Sequence, residues 1–109
     1  MNKTSHLAVY CTCPDEKVAD TIARGLVNEG LAACVNILPT VKSVYRWKGE
    51  TESATESLLL IKSAAENYEK IEQRIVDLHP YELPEVIGVP ITAGLKPYLA
   101  WLTQPEKES

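Results

Sequence analysis

The candidate soft ligands in this sequence are Cys11, Cys13, Cys34, His79 and His6. Cys11 and Cys13 flank Thr12 in the stretch AVYCTCPDE. Two thiols two residues apart share a face if a strand runs through both, and such a pair suits a soft ion such as Cu(I). The same pair also reads as two small hydrophobes beside a helix cap. Cys13 precedes Pro14, which pushes it to extended backbone, and it stands where a helix N-terminus lowers a thiol pKa. It is therefore either the most reactive thiol or a plain cap position. No C-x-x-C motif is present, which argues against thiol–disulfide exchange. Nor is there a second cysteine pair or a zinc-spaced histidine cluster to complete a tetrahedral site within one chain.

Cys34 lies within the apolar LAACVNI and reads as a small buried hydrophobe, whereas His6 reads as solvated. His79 falls at a helix C-terminus, where an imidazole is stabilised by the dipole or is free to ligate. Glu82 and Glu85 follow on a loop, HPYELPE, stiffened by Pro80 and Pro84. The mixed sulfur, nitrogen and oxygen set Cys11, His79 and Glu85 converges only if the fold brings the end of one strand to the start of another.

The elements that must do so are legible. Residues 7–12 form an apolar run rich in β-formers, a buried strand. Pro14 at the first position, with Asp15 and Glu16, opens a helix whose stripe is Val18, Ala19, Ile22, Ala23, Leu26 and Val27. Gly30 ends it in a left-handed cap. A long strand from Leu31 to about Arg46, interrupted by Pro39, turns at Lys48-Gly49 into a second from about Thr51 to Lys62. Ser63 to Glu66 has the capping-box pattern ahead of a helix with Tyr68, Ile71, Ile75 and Leu78 on one side. A strand from Val86 to Thr92, a short helix from Pro97 and a polar tail, frayed from about residue 104, complete a single domain over 1–109. The order is α+β, a ferredoxin-like βαββαβ sandwich with a short C-terminal helix. Pro39 and Pro90 fall on what would be the two edge strands, where proline is tolerated.

In this order the fourth strand runs antiparallel to the first, so Glu85 should lie near Cys11 and Thr12. The run Leu58 to Ile61 is apolar on both strand faces, and two helices cover only one face of such a sheet. Strands of about 16 residues span roughly 50 Å, longer than a compact domain of this size, so the hairpin should project. Both features predict association with further copies of the chain.

The composition is 45% apolar and 24% charged, with a net charge of −4. That balance argues against nucleic acid or an anionic membrane as the main partner. No apolar run is long enough to span a membrane, and the residues before the first strand are too short and polar for a signal peptide. An odd count of three cysteines fits reduced thiols in the cytoplasm. No glycine-rich phosphate loop or G-x-S-x-G elbow is present. The loop after the first strand lacks the arginine an acylphosphatase-like site would use, and the central strands lack the exposed aromatics of an RNA-binding sheet.

Several motifs in one order, CTCPDE, GLAACVNILP, VYRWKGE, HPYELPE and YLAWL, resemble the CutA family of divalent cation tolerance proteins, from about Leu7 to Leu102. The resemblance implies a tight homotrimer similar to the PII signalling regulators, linked to copper and other divalent cations, and without an established enzymatic activity. It places metal ligands on Cys11, His79 and Glu85. Some members carry a second histidine before H-P-Y, where this chain has Leu78, and Cys13 is an extra thiol that partly substitutes. The alternative is a PII-like signalling trimer that binds a small metabolite or a partner protein at its subunit clefts.

Overall fold

The computed structural model describes residues 5–105. Four strands and three α-helices follow in the order β1 (His6–Cys13), α1 (Glu16–Asn28), β2 (Cys34–Trp47), β3 (Glu50–Ala64), α2 (Tyr68–Leu78), β4 (Ile87–Pro90) and α3 (Lys96–Thr103). The sheet is antiparallel in the order β2-β3-β1-β4. β2 and β4 are the edges, as the prolines require.

The register fixes which residues share a face. Val9, Cys11 and Cys13 pair with Ile61, Leu59 and Ser57. These positions are buried beneath α1 and α2, whose inward residues are Ala19, Ile22, Leu26, Ile71 and Ile75. On the opposite face, Tyr10 lies between Leu60 and Ile87, and Ala8 pairs with Val89. α3 covers one end of that face, where His6 Nε2 donates to the Leu99 carbonyl at 2.9 Å. The remainder is left bare, with Ile87 52% exposed.

Four boundaries differ from the sequence reading. Asp15, not Cys13, caps α1: its Oδ1 accepts from the Val18 amide at 2.9 Å, and the helix begins at Glu16 rather than Pro14. A carboxylate is the stronger cap, and the extended residue before proline instead carries β1 through Cys13. Ser63 does not cap α2, because it pairs with Leu7 in the sheet and is buried with its Oγ unpartnered. A 3₁₀ turn, Ala65–Asn67, leads into the helix instead. β2 starts at Cys34 because the amides of Leu31 and Ala32 bond back to the Leu26 carbonyl. β4 ends at Pro90 rather than Thr92. The expected tail from residue 104 lies mostly outside the described residues.

The hairpin projects as its length predicts, giving extents of 45 × 32 × 23 Å and a radius of gyration of 14.6 Å. Pro39 marks a bulge between Leu38 and Val41, with Thr40 at φ 65°. Lys48 and Gly49 form a two-residue turn with φ 51° and 83°, both left-handed as a type I′ hairpin demands. Gly49→Ala is therefore expected to lower stability by about 1 kcal/mol, read as a fall in the denaturant midpoint.

Candidate metal centre

β1 ends at the open end of the core, and its last two inward side chains are thiols. α2 stops at Leu78, and His79 turns extended (φ −82°, ψ 136°), which swings its ring back over β1. One sulfur from each cysteine and one ring nitrogen of His79 lie within 4.8 Å of one another. Cys11 and Cys13 are fully buried and His79 is 7% exposed. Glu85 is exposed and stands outside this group, among the residues that line an adjoining cleft. Cys34 and His6 are elsewhere: Cys34 opens β2 beside Tyr98, and His6 is half-buried against α3 rather than solvated.

The imidazole is held on both sides. The Tyr81 amide donates to Nδ1 at 3.1 Å, so the ring proton is on Nε2, which donates to the Thr12 carbonyl at 2.8 Å. This tautomer ties the HPYELPE loop to the end of β1. A ring that binds an ion gives up one of the two bonds, a cost of about 1 kcal/mol.

The Cys11 thiol donates to the Thr12 carbonyl at 3.8 Å, and the Cys13 sulfur lies beside it. Hydrogen bonding to the Cys13 sulfur raises the Cys11 pKa far above the thiol range, reinforced by burial and by the nearby carboxylates of Glu85 and Glu56. The same bond, received from Cys11, lowers that of Cys13, against the effect of its burial. The pair thus holds one proton more tightly than the other.

The donor set fits a soft ion. Bonds of about 2.0–2.3 Å place three ligands of a trigonal ion roughly 3.8 Å apart, so closure needs a shift of no more than about 1 Å. Two thiolates and an imidazole favour Cu(I) or Zn over hard cations.

Beside this cluster, Thr12, Ser43, Val44, Tyr45, Trp47, Glu56, Pro80, Tyr81, Glu82, Leu83 and Glu85 line a cleft of about 730 Å³. The Tyr81 hydroxyl donates to Glu56 Oε2 at 2.7 Å. Burial first, and then that carboxylate, hold the hydroxyl protonated above the usual tyrosine range. Sequence spacing missed Glu56 and Tyr81 as partners. The usable signal was that Glu56 is in phase with Leu58 and Leu60 on β3, an acid in an apolar series.

The sheet order and helix placement define a ferredoxin-like α+β protein with a thiol–imidazole cluster at the end of its first strand. A family model described as "CutA1 divalent ion tolerance protein" matches residues 7–105, and the chain belongs to the CutA family. It is 48% identical over 95 residues to a CutA homolog of Xenopus laevis, covering 87% of this chain and 63% of that protein. The solved divalent cation tolerance protein of Thermus thermophilus superposes with a TM-score of 0.89 at 46% identity, covering 91% of this chain and 96% of that one. The PII-like protein CutA from a Nostoc species superposes with a TM-score of 0.83 at 39% identity, covering 89% and 93%. The chain thus spans somewhat less than two thirds of the Xenopus relative and nearly all of the two solved proteins. These relatives are named for tolerance or architecture, not for an enzymatic reaction.

Proposed function

We propose that this protein is a cytoplasmic homotrimer that binds copper or another soft or divalent cation and serves divalent cation tolerance. The convergence of Cys11, Cys13 and His79 to within 4.8 Å, buried at the end of β1, carries the reading. Cys11, Cys13 and His79 would hold the ion, and Glu85 contributes its charge from the adjoining cleft. Leu78, where some relatives of the resemblance have a second histidine, leaves Cys13 as the third donor. Three free thiols suit a reducing compartment. The bare, apolar face formed by Tyr10, Leu58, Leu60, Ile87 and Val89 supports the trimer, and the family's relation to cations supports the ligand.

Native mass spectrometry of protein purified without added metal tests both parts at once. Trimers carrying about one ion per chain after Cu(I) loading are expected; monomers, or trimers that take up no ion, would remove the proposal.

Protons must leave the thiols for the ion to bind. Cys11 has its pKa raised above the ordinary thiol value, so the ion displaces at least that proton. Affinity should therefore rise about tenfold per pH unit between about pH 6 and pH 8, measured by competition with a Cu(I) chelator. A flat profile would mean that Cys11 is not a ligand.

A further inference from the structure

Thr12 separates Cys11 from Cys13, and several groups at this end of β1 meet on its carbonyl. It accepts from the Cys11 thiol at 3.8 Å and from His79 Nε2 at 2.8 Å. Both cysteines are fully buried, and their sulfurs lie within 4.8 Å of each other and of a His79 ring nitrogen. All these groups belong to one chain and are buried within it, so their placing needs no partner subunit. Cys34 takes no part: it is in register with Lys62, which pairs with Ala8 on the opposite face of the sheet. Among the described residues, each of the two cysteines therefore has the other as its thiol neighbour.

Positions two residues apart on a strand have Cα atoms roughly 6.6 Å apart, at the wide end of what a disulfide spans. A bond between the two sulfurs closes only if the backbone puckers at Thr12, and a bond so placed reopens readily to a thiol reductant. Access to the pair is set by His79. Its ring is held by the Thr12 carbonyl and the Tyr81 amide, and the chain between Leu78 and Ile87 forms neither helix nor strand. Such a segment opens locally at less cost than the sheet beneath it. Buried thiols behind a ring tied by two hydrogen bonds are thus screened from an oxidant but not sealed for good.

We propose that Cys11 and Cys13 form a reversible disulfide under hydrogen peroxide, with His79 as the lid that sets the rate. One thiol loses its proton and attacks a peroxide oxygen, the O–O bond breaks, and the departing hydroxide leaves as water with that proton. The sulfenic acid so formed is then attacked by the second sulfur. The S–S bond closes, and a second water leaves with the second thiol proton. Two thiols are oxidised by two electrons, and one peroxide is reduced to two waters. The bond takes both sulfurs from a soft ion, so disulfide and ion exclude each other. That last consequence rests on the proposed metal centre, whereas the disulfide itself does not.

The test treats the reduced full chain with hydrogen peroxide in excess chelator, removes the peroxide, then denatures and labels free thiols with a maleimide. The chain has three cysteines, so intact mass should fall from three labels to one, and a thiol reductant should restore all three. Peptide mapping should place the bond between Cys11 and Cys13. Cys34→Ser should still lose two labels, and Cys11→Ser should form no disulfide within the chain. If Cys11→Ser proves unfolded by circular dichroism, Cys13→Ser decides in the same way. Three labels after peroxide, a bond that includes Cys34, or a loss that the reductant does not reverse overturns the proposal. His79→Ala should oxidise at least about fivefold faster, as the loss of one hydrogen bond in the closed state implies; an unchanged rate removes the lid. Protein loaded with Cu(I) should oxidise at least about tenfold more slowly, and an equal rate in loaded protein overturns the exclusion. Because the disulfide forms in chelator, a chain that takes up no ion fails the metal proposal and leaves this one standing.

Discussion

Cys11→Ser is expected to lower affinity for Cu(I) by more than about 100-fold, beyond what the loss of an outer partner to a ligand costs. The reason lies in where the residue sits. Cys11 is in the fully buried row of β1, its sulfur faces Cys13, and His79 closes the group from the other side. A serine hydroxyl fills nearly the same volume but is a hard, neutral donor that a soft ion does not choose. Cys34→Ser, at the start of β2 and outside the group, should leave affinity unchanged. His79→Ala should weaken binding less than Cys11→Ser, because the parent ring must first break a bond to Thr12 or Tyr81. Anaerobic competition with a chelator measures all three, with circular dichroism as the control for folding. Equal affinity in Cys11→Ser and the parent would move the ion elsewhere.

The second large effect is expected at the bare face of the sheet. Leu60 sits opposite Tyr10, with the exposed Ile87 on the far side of that tyrosine, on the side that neither α1 nor α2 covers. In the proposed trimer this face is buried against other subunits, so Leu60→Glu places an unpaired charge in each contact. The cost is about 3–5 kcal/mol for each buried charge, enough to dissociate a moderately stable trimer. Sedimentation equilibrium should then report single chains, with the far-ultraviolet spectrum retained, because Leu60 is only half-buried within its own subunit. A variant that sediments like the parent would show that the face is not the contact.

Much of this architecture was legible in the residues. Pro39 and Pro90 named the edge strands, and the two-faced apolar run at Leu58–Ile61 named a central one. The stripe in α2 and the turn at Lys48-Gly49 followed from spacing and from the φ values glycine permits. The ends of the elements were less legible, because they are decided by competition. Asp15 outcompetes Cys13 as a cap, and pairing with Leu7 keeps Ser63 in the sheet despite its capping pattern. The extension of β1 by one residue changes the candidate site, since it turns Cys13 inward beside Cys11. The two bonds on His79 and the Tyr81–Glu56 contact join segments of which most are far apart in sequence, and no local spacing encodes such meetings.

The place of β1 in the sheet has a consequence for synthesis. Its two neighbours are β3 and β4, and the strand next to it in sequence, β2, is not among them. At about 5–20 residues per second, several seconds pass between the emergence of Cys13 and that of the last β3 residue that pairs with β1. Throughout that interval the first strand lacks its hydrogen-bonding partners and its sulfurs lie open to the surroundings. In the finished protein they are sealed. A cysteine trap applied to ribosome-bound chains of increasing length should label Cys11 and Cys13 until β3 has cleared the exit tunnel, and not afterwards.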